Sequence, residues 1–357
     1  MRAATIARNM CDAGLEVTVV LGGLKVLVAD FGPADIIHLP PVRSDGSNFK
    51  VLLDENDVEI DDDFKNRRRD ELLNVYASLN PNVLLVELFP FGRRQLRFEL
   101  MPLLAAARES SKIVCSVRDV LVPMKKPKRI DEIIDTALAH FDQILVHGDK
   151  SVIPFTETFP RAAELHHLMS YTGYVVDHNG LPDIDTGTGE VIVSVGGGAV
   201  GEILLRTSIA ARGLSAAEDR PWRLLAGRHL PKSVFDDLKA AAGAGITVEW
   251  ARNDFRALLR NADLSISQGG YNTTMDVLQA GCRNVIVPMA EADESEQTLR
   301  AGKMEAKGLV HMVRASNLSP ENLATAVNKA LAAPPPPILS GINLGGAQQT
   351  ARIVAEI

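Results

Sequence analysis

Two glycine-rich segments in the second half of the sequence have the composition of anion-binding turns. They lie within residues 191–202, which contain Gly196-Gly197-Gly198, and within residues 262–276. Each follows an apolar run typical of a buried strand and precedes a helical pattern, so that glycine amides and a helix N-terminus could face an anion. The first segment has neither the P-loop lysine nor the dinucleotide G-x-G-x-x-G spacing. A phosphate site and a simple tight turn are therefore equally good interpretations of it.

Polar side chains that suit a sugar or a ribose follow these turns. Thr273 is predicted to cap the second helix, and Asp276 is predicted on its first turn. There the carboxylate could accept hydrogen bonds from ribose hydroxyls or only complement the helix dipole. A third strand is followed by Glu296 and Gln297, whose polar groups suit sugar hydroxyls. All three segments should meet at the carboxyl ends of the strands, where open α/β sheets bind ligands.

Two carboxylates in the first half also follow apolar strand patterns. Glu87 could act as a base on an acceptor hydroxyl, or it could pair with Arg93 or Arg94. Asp119, next to Arg118, could likewise act as a base or pair with an arginine. The basic run at 125–129 could meet an acidic acceptor or anionic lipid headgroups, although such runs are more often solvated faces.

Apolar runs rich in branched residues alternate with amphipathic helical patterns along the whole chain. This alternation predicts an α/β protein in which helices cover parallel sheets on both faces. It indicates two doubly wound, Rossmann-like domains, at residues 1–170 and 186–333, with a linker rich in glycine and aspartate between them. Four prolines then open a final segment, 334–357, predicted to be a spacer and a C-terminal helix.

Composition excludes several classes of protein. The chain has 357 residues and a net charge of −7, and neither half is basic, which argues against a nucleic-acid partner. The three cysteines lack metal-ligand spacing and suit a reducing compartment. The acidic run Asp61-Asp62-Asp63 is predicted to cap a helix rather than to bind a metal. No apolar run approaches the roughly 20 residues of a membrane span, so we expect a cytoplasmic protein or one at the inner membrane face.

The segment 262–301 resembles the nucleotide-sugar signature of the GT-B glycosyltransferases of family 28, which include peptidoglycan-precursor N-acetylglucosaminyltransferases. A group of predicted bacterial glycosyltransferases has versions of three further motifs: Phe89-Pro-Phe-Gly-Arg-Arg94, Ser116-Val-Arg-Asp119 and Val146-His-Gly-Asp149. The resemblance implies a GT-B fold. It also implies transfer of a hexose or N-acetylhexosamine from a nucleoside diphosphate sugar, a UDP-sugar, to a hydroxyl acceptor. Inversion without a metal or other cofactor is the implied mechanism.

Position by position, the resemblance assigns donor-binding residues. Those implied near the phosphates are Gly197, Gly198, Gly270, Tyr271, Asn272 and Thr273. Asp276 would bind the ribose, and Glu296 and Gln297 the transferred sugar. Trp250 falls where the backbone holds the base, and its ring could stack on the base or pack in the core.

The beginning of the sequence departs from the family. Family members start with a strand and a histidine-containing glycine loop, followed by a helix resembling residues 2–8. This sequence starts at that helix. We therefore expect the first strand of the N-terminal sheet to be missing and the catalytic base to be Glu87 or Asp119. A nucleotide-sugar hydrolase or epimerase, or a non-catalytic nucleotide-sugar-binding protein, is an alternative on the same fold.

Overall fold

The computed structural model describes residues 2–24, 29–45, 51–122, 124, 126–178, 180–196, 201–289, 296–336 and 341–357. The chain divides into two compact units, one formed by Met1–Val175 with Gly345–Ile357 and the other by Val176–Leu344. Each unit alternates strands and helices. The structure therefore confirms the α/β class and the two parallel-sheet domains that the sequence predicts.

The first unit begins with a helix, as the apolar spacing of its first residues predicts. Its elements are α1 (Arg2–Asp12), β1 (Thr18–Leu21), β2 (Asp35–His38), β3 (Arg43–Ser44), β4 (Leu52–Leu53), α2 (Asp62–Leu79), β5 (Val83–Glu87), α3 (Arg97–Ala107), β6 (Lys112–Arg118), α4 (Pro127–His140), β7 (Gln143–His147) and β8 (Met169–Tyr171). The predicted cap of α2 is confirmed, since the Asp61 carboxylate accepts a 2.7 Å hydrogen bond from the Phe64 amide.

The parallel strands of this unit fall into two separate sheets. One contains β1 and β2, and the other has the order β5-β6-β7-β8. Among the described residues, β1 pairs only with β2, and β5 pairs only with β6. Every residue of β1 and most of β5 are half-buried, whereas β6 and β7 are almost entirely buried. The apolar side chains of β1 and β5 are thus more exposed than those of β6 and β7.

The second unit contains one six-stranded parallel sheet among its described residues. Its elements are β9 (Val191–Ser194), α5 (Glu202–Arg212), β10 (Trp222–Ala226), α6 (Lys232–Ala241), β11 (Ile246–Trp250), α7 (Phe255–Asn261), β12 (Leu264–Ser267), α8 (Tyr271–Ala280), β13 (Asn284–Ile286), α9 (Glu296–Ala306), β14 (His311–Met312) and α10 (Pro320–Ala332). The sheet has the order β11-β10-β9-β12-β13-β14. Its central strands β9 and β12 are buried on both faces, which explains their continuous apolar sequences.

The last helix, α11 (Gly346–Glu356), belongs to the first unit. Buried apolar residues of α1 and α11 form a common cluster, whose members are Ile6, Met10, Val175, Ala347 and Ala351. Gly346 allows the close approach that this packing requires, because a Cβ there would lie 2.4 Å from the Gly173 carbonyl oxygen. The terminal helix therefore covers the helix with which the chain begins.

Candidate functional site

The strand order of the second unit reverses between β9 and β12. From β9 the chain proceeds outward to β10 and β11, whereas β12, β13 and β14 follow on the other side. Such a reversal opens a crevice at the carboxyl ends of the two central strands. Ser194 and Ser267, the last residues of these strands, are partners in the parallel register. Both glycine turns begin at this point, although Gly197 and Gly198 lie outside the described residues.

Three buried hydroxyl groups near this crevice lack hydrogen-bond partners. They belong to Ser194 and Ser267 at the strand ends and to Thr274 on the first turns of α8. None of the three oxygens is hydrogen bonded within the described part of the chain. Because an unsatisfied buried hydroxyl costs about 1–3 kcal/mol, this arrangement suits a polar ligand or bound water.

Helix α8 begins at Tyr271 with the extended Gly270 as its N-cap and without a side-chain cap. The prediction that Thr273 caps this helix is therefore wrong, because Thr273 lies inside the first turn. The exposed Asn272 and the half-buried Thr273 place their amides among the first helical N–H groups, which have no acceptor within a helix. The Tyr271 ring is buried beneath the Arg300 guanidinium, 5.3 Å from the ring centroid. Its aromatic side chain thus ties α8 to α9.

Asp276 lies on the second turn of α8, one turn later than predicted, because the helix starts at Tyr271. Its carboxylate is 3.9 Å from Arg256 Nε, and Arg256 also pairs with Asp177 at 3.0 Å. Burial raises the pKa of the Asp276 carboxyl to about 7; Arg256 opposes this rise and the negative charge of Asp177 adds to it. The group can therefore change its charge near neutral pH.

The Gln297 side chain already makes one local contact. Its Oε1 accepts a 3.0 Å hydrogen bond from the Met289 amide, so its side-chain NH₂ is the group that could donate to a ligand. Gly269 permits α9 to approach the turn after β12, because a Cβ at Gly269 would lie 3.3 Å from Gln297 Cβ. Glu296 is half-buried at the first position of α9.

Trp250 ends β11, at the edge of the sheet and two strands away from β9. One face of its ring stacks on Phe235, with centroids 4.0 Å apart and planes 7° apart. The residue is nevertheless 37% exposed. Both interpretations of the sequence thus have a physical basis, since part of the ring packs and part faces solvent.

In the first unit, the two candidate bases have different environments. Asp119 is fully buried, and a Cβ on Gly148 would lie only 2.6 Å from Asp119 Cβ. An acceptor hydroxyl could not reach this carboxylate in the described conformation. The Glu87 side chain is 27% exposed. Of the two, Glu87 is therefore the carboxylate that a substrate can approach.

Glu87 forms an ion pair with Arg2 of α1, not with Arg93 or Arg94 as one interpretation of the sequence predicts. Arg94 instead pairs with Glu132 at 3.0 Å. The Glu87 Oε2 atom also accepts a 2.8 Å hydrogen bond from the Ser116 hydroxyl. This places the carboxylate at the solvent-facing end of a polar contact that leads into the protein interior.

Ser116 continues this contact to a histidine for which the sequence suggests no role. His147 Nε2 is 2.8 Å from Ser116 Oγ, and His147 Nδ1 is 2.9 Å from Thr172 Oγ1. Burial lowers the pKa of the His147 imidazole well below 6.5, and the positive charge of Arg2 acts in the same direction. Ser116 and His147 both lie in segments singled out by their resemblance to predicted glycosyltransferases, and this is the sequence signal that could have identified them.

Residues 246–338 match the model of the glycosyltransferase family 28 C-terminal domain. The match lies within the second unit and begins at β11. A relative from Herminiimonas arsenicoxydans is 31% identical over 169 residues; these are 46% of this chain and 44% of that protein. Its name is UDP-N-acetylglucosamine–N-acetylmuramyl-(pentapeptide) pyrophosphoryl-undecaprenol N-acetylglucosamine transferase. The chain thus spans less than half the length of this curated relative.

Solved structures extend the likeness of fold to both units. A kitacinnamycin glycosyltransferase has a TM-score of 0.65 at 17% identity, covering 99% of this chain and 94% of its own. MurG from Acinetobacter baumannii has a TM-score of 0.62 at 16% identity, and the match covers 100% of this chain and 95% of MurG. A putative UDP-N-acetylglucosamine 2-epimerase from Listeria monocytogenes has a TM-score of 0.60 at 15% identity, and the match covers 99% of this chain and 93% of the epimerase. The chain therefore has the GT-B fold.

Within the second unit, the structure brings several of the predicted donor-binding residues that it describes to one edge of the sheet. Gly270, Asn272 and Thr273 lie at the start of α8, and Asp276 follows one turn later on the same helix. Gln297 approaches this region through Gly269. None of the helices in the described ranges is long and apolar enough to cross a membrane.

Proposed function

We propose that this chain is a glycosyltransferase that moves a hexose or N-acetylhexosamine from a UDP-sugar to a hydroxyl acceptor. The observation that carries the proposal is the group of buried hydroxyls of Ser194, Ser267 and Thr274, at the strand-order reversal and on the first turn of α8, for which the described residues supply no hydrogen-bond partner. Polar groups of a donor diphosphate would satisfy hydroxyls that otherwise cost free energy. The match to the family 28 C-terminal domain model and the name of the relative from Herminiimonas arsenicoxydans support a nucleotide sugar as the ligand.

The donor is held by groups on three elements. The amides at the start of α8 bind the diphosphate, and the resemblance assigns the same role to Gly197 and Gly198, which lie outside the described residues. The Asp276 carboxylate accepts hydrogen bonds from the ribose hydroxyls. Glu296 and the Gln297 NH₂ group contact the transferred sugar, and the exposed part of Trp250 stacks on the base. Backbone amides and the α8 dipole stabilise the departing diphosphate, so that the reaction proceeds without a metal ion.

The acceptor is activated by Glu87. As the acceptor O–H bond breaks, its proton moves to the Glu87 carboxylate and its oxygen attacks the anomeric carbon. The bond from that carbon to the diphosphate breaks on the opposite face, and the leaving diphosphate takes the electron pair. One displacement of this kind inverts the anomeric configuration. Asp119 is too deeply buried to take the same part.

Isothermal titration calorimetry of the full chain with UDP, TDP, GDP and ADP tests the donor site. We expect UDP to bind and Ser267→Ala to weaken that binding about 5- to 30-fold, because one buried hydrogen bond contributes about 1–2 kcal/mol. Ser265→Ala is the matched control. Ser265 is equally buried and partnerless on the same strand, but it lies two residues, roughly 7 Å, from the carboxyl end. Failure to bind any of the four nucleotides would refute the proposal.

Donor turnover with and without acceptors separates transfer from hydrolysis or epimerisation. The structural likeness to an epimerase shows only that the fold is compatible with other reactions. We expect nucleoside diphosphate release to be slow in water and faster with a suitable hydroxyl acceptor, and the donor sugar to keep its configuration until transfer. Appearance of an epimerised UDP-sugar would instead identify an epimerase.

A second proposal concerns peripheral contact with an anionic membrane. Val122 is 74% exposed, and Lys126 and Lys128 are exposed close by at the start of α4. An apolar side chain beside lysines suits a surface of anionic headgroups. Co-sedimentation should show binding to phosphatidylglycerol vesicles that weakens with salt, and none to phosphatidylcholine vesicles. Lys126→Glu should reduce this binding, and equal binding to both lipids would contradict an electrostatic contact.

A further inference from the structure

A row of hydrogen bonds joins the ends of neighbouring strands in the first unit. It runs from the half-exposed Glu87 carboxylate to Ser116 Oγ at 2.8 Å, then to His147 Nε2 at 2.8 Å, and from His147 Nδ1 to Thr172 Oγ1 at 2.9 Å. Ser116, His147 and Thr172 are fully buried. The register of β5 and β6 pairs Glu87 with Ser116. The row is therefore built by the strand pairing itself and not by a mobile loop.

The carboxylate fixes the direction of every hydrogen bond in this row. An ionised Glu87, paired with Arg2, can only accept, so the Ser116 hydroxyl must donate to it. Because the only proton of the Ser116 hydroxyl is donated to Glu87, Ser116 Oγ must accept a hydrogen bond from the Nε2–H group of His147. The neutral imidazole then has an unprotonated Nδ1, and the Thr172 hydroxyl, which also lies 2.9 Å from the Gly173 carbonyl oxygen, must direct its one proton to Nδ1. Burial keeps the ring neutral, in agreement with the lowered pKa of His147.

We propose that Ser116 and His147 are positioning residues that orient the Glu87 carboxylate for proton transfer, a role that rests on the proposed glycosyl transfer. His147 holds the Ser116 proton on Glu87 Oε2, and Ser116 thereby fixes the plane of the carboxylate. Arg2 holds the second oxygen. With one partner on each oxygen, the carboxylate keeps a fixed orientation and still has a free lone pair that can receive the proton of the acceptor hydroxyl.

The tautomer of His147 tests this geometry without any need for activity. A long-range ¹H–¹⁵N correlation spectrum should show a wild-type ring protonated at Nε2, assigned by its absence in His147→Gln. In Glu87→Met, a side chain of similar length without an acceptor, Ser116 can donate to Nε2 instead. The ring proton should then move to Nδ1, from which it can be donated to Thr172, whose hydroxyl is 2.9 Å from the Gly173 carbonyl oxygen. An Nδ1–H wild-type ring, or an unchanged tautomer in Glu87→Met, would overturn the proposal.

Kinetics test the positioning role itself. With UDP-, TDP- and GDP-sugars as donors, a panel of hydroxyl acceptors and nucleoside diphosphate release as the readout, Ser116→Ala should lower kcat about 10- to 100-fold and leave the donor KM within about twofold. Ser116→Thr, which restores a hydroxyl, should recover most of the rate. Ser111→Ala is the matched control. Ser111 precedes the same strand at its opposite end and is hydrogen bonded to Tyr76 at 2.7 Å, so its loss should cost stability but not kcat.

The tautomer measurement and the kinetics together distinguish a failure of the proposed function from a failure of this inference. If the wild-type chain turns over none of these donors while the tautomer behaves as expected, the glycosyltransferase proposal fails and the hydrogen-bonded row stands. If the wild-type chain is active and Ser116→Ala retains full kcat, Ser116 has no positioning role and the inference is wrong. A loss of kcat that Ser111→Ala reproduces would show that general destabilisation, and not positioning, limits the rate.

Discussion

Replacement of Asp276 by asparagine should make stability and donor binding respond differently to pH. The pKa of the Asp276 carboxyl rises from 3.8 to about 7 in the fold, mainly through burial. At about 1.4 kcal/mol per pKa unit, the shift corresponds to roughly 4 kcal/mol. Because 23% of the side chain is exposed, water relieves part of this cost, and we take about 2–4 kcal/mol as the working range.

The sign follows from the raised pKa. The contribution of Asp276 to the free energy of unfolding is fully present below pH 4, falls as pH rises, and is lost above about pH 7. Asp276→Asn carries no charge and does not lose this contribution, while Arg256 keeps its 3.0 Å contact with Asp177. In urea unfolding, the variant should therefore gain about 1–3 kcal/mol over wild type between pH 5 and pH 8.

Asp254 provides a control of opposite sign in the same unit. A hydrogen bond from Arg252 is the main cause that lowers the pKa of the Asp254 carboxyl, so its stabilisation is present above the unfolded pKa and is lost only in acid. Asp254→Asn should be less stable than wild type by a constant amount between pH 5 and pH 8. If the difference between wild type and Asp276→Asn also stays constant over this range, the raised pKa of Asp276 is refuted.

Donor binding should show the opposite trend to stability. Ribose hydroxyls donate to a carboxylate, so UDP affinity of the wild-type chain should rise with pH through about 7, where Asp276 ionises. Asp276→Asn should bind UDP about 10-fold more weakly at pH 8 and show little pH dependence. Calorimetry at three pH values measures this, and parallel profiles for the two proteins would move Asp276 out of the donor site.

Two further substitutions test the donor site and the fold separately. Gln297→Ala should weaken binding of the UDP-sugar by about 1–3 kcal/mol, since it removes the side-chain NH₂ group that donates a hydrogen bond to the sugar; calorimetry in which UDP alone loses as much affinity would argue against a sugar contact. Glu99→Gln should destabilise the first unit by about 3–5 kcal/mol in urea, because it leaves the buried Arg68, now paired at 2.6 Å, without a counter-charge. UDP affinity at low denaturant should be unchanged, and a destabilisation below 1 kcal/mol would contradict the importance of this pair.

The central strands could be predicted from the sequence because burial on both faces requires a continuous apolar run. The predicted strands at 191–195 and 264–267 occur as Val191–Ser194 and Leu264–Ser267, since a short apolar run flanked by glycines suits a strand buried on both faces. The edge strands β8 and β14 were not predicted. Each has only two or three residues, which is too short for a periodic pattern to appear.

The start of α8 shows how the preference for a hydroxyl residue at a helix N-cap can place the helix start a few residues too late. The sequence offers Thr273 as a hydroxyl cap, but the helix begins at Tyr271, because the extended Gly270 can precede a helix without supplying a side-chain acceptor. This shift moves Asp276 to the second turn, where the Arg256 guanidinium is 3.9 Å away. The raised pKa of Asp276 therefore depends on a partner that lies on another helix, α7, and that no motif around Asp276 reveals.

The choice between Glu87 and Asp119 depends on depth, which the sequence does not encode. Both carboxylates follow apolar strands and have arginines nearby in the sequence, so the two are equivalent by pattern. Glu87 is the last residue of β5, which pairs with only one neighbour among the described strands, and this position leaves its side chain half-exposed. Asp119 follows β6, between two paired strands, and packs against the backbone of Gly148. The single pairing of β5 thus explains why the Glu87 side chain is accessible and that of Asp119 is not, while the Glu87 carboxylate is held by Arg2 and Ser116.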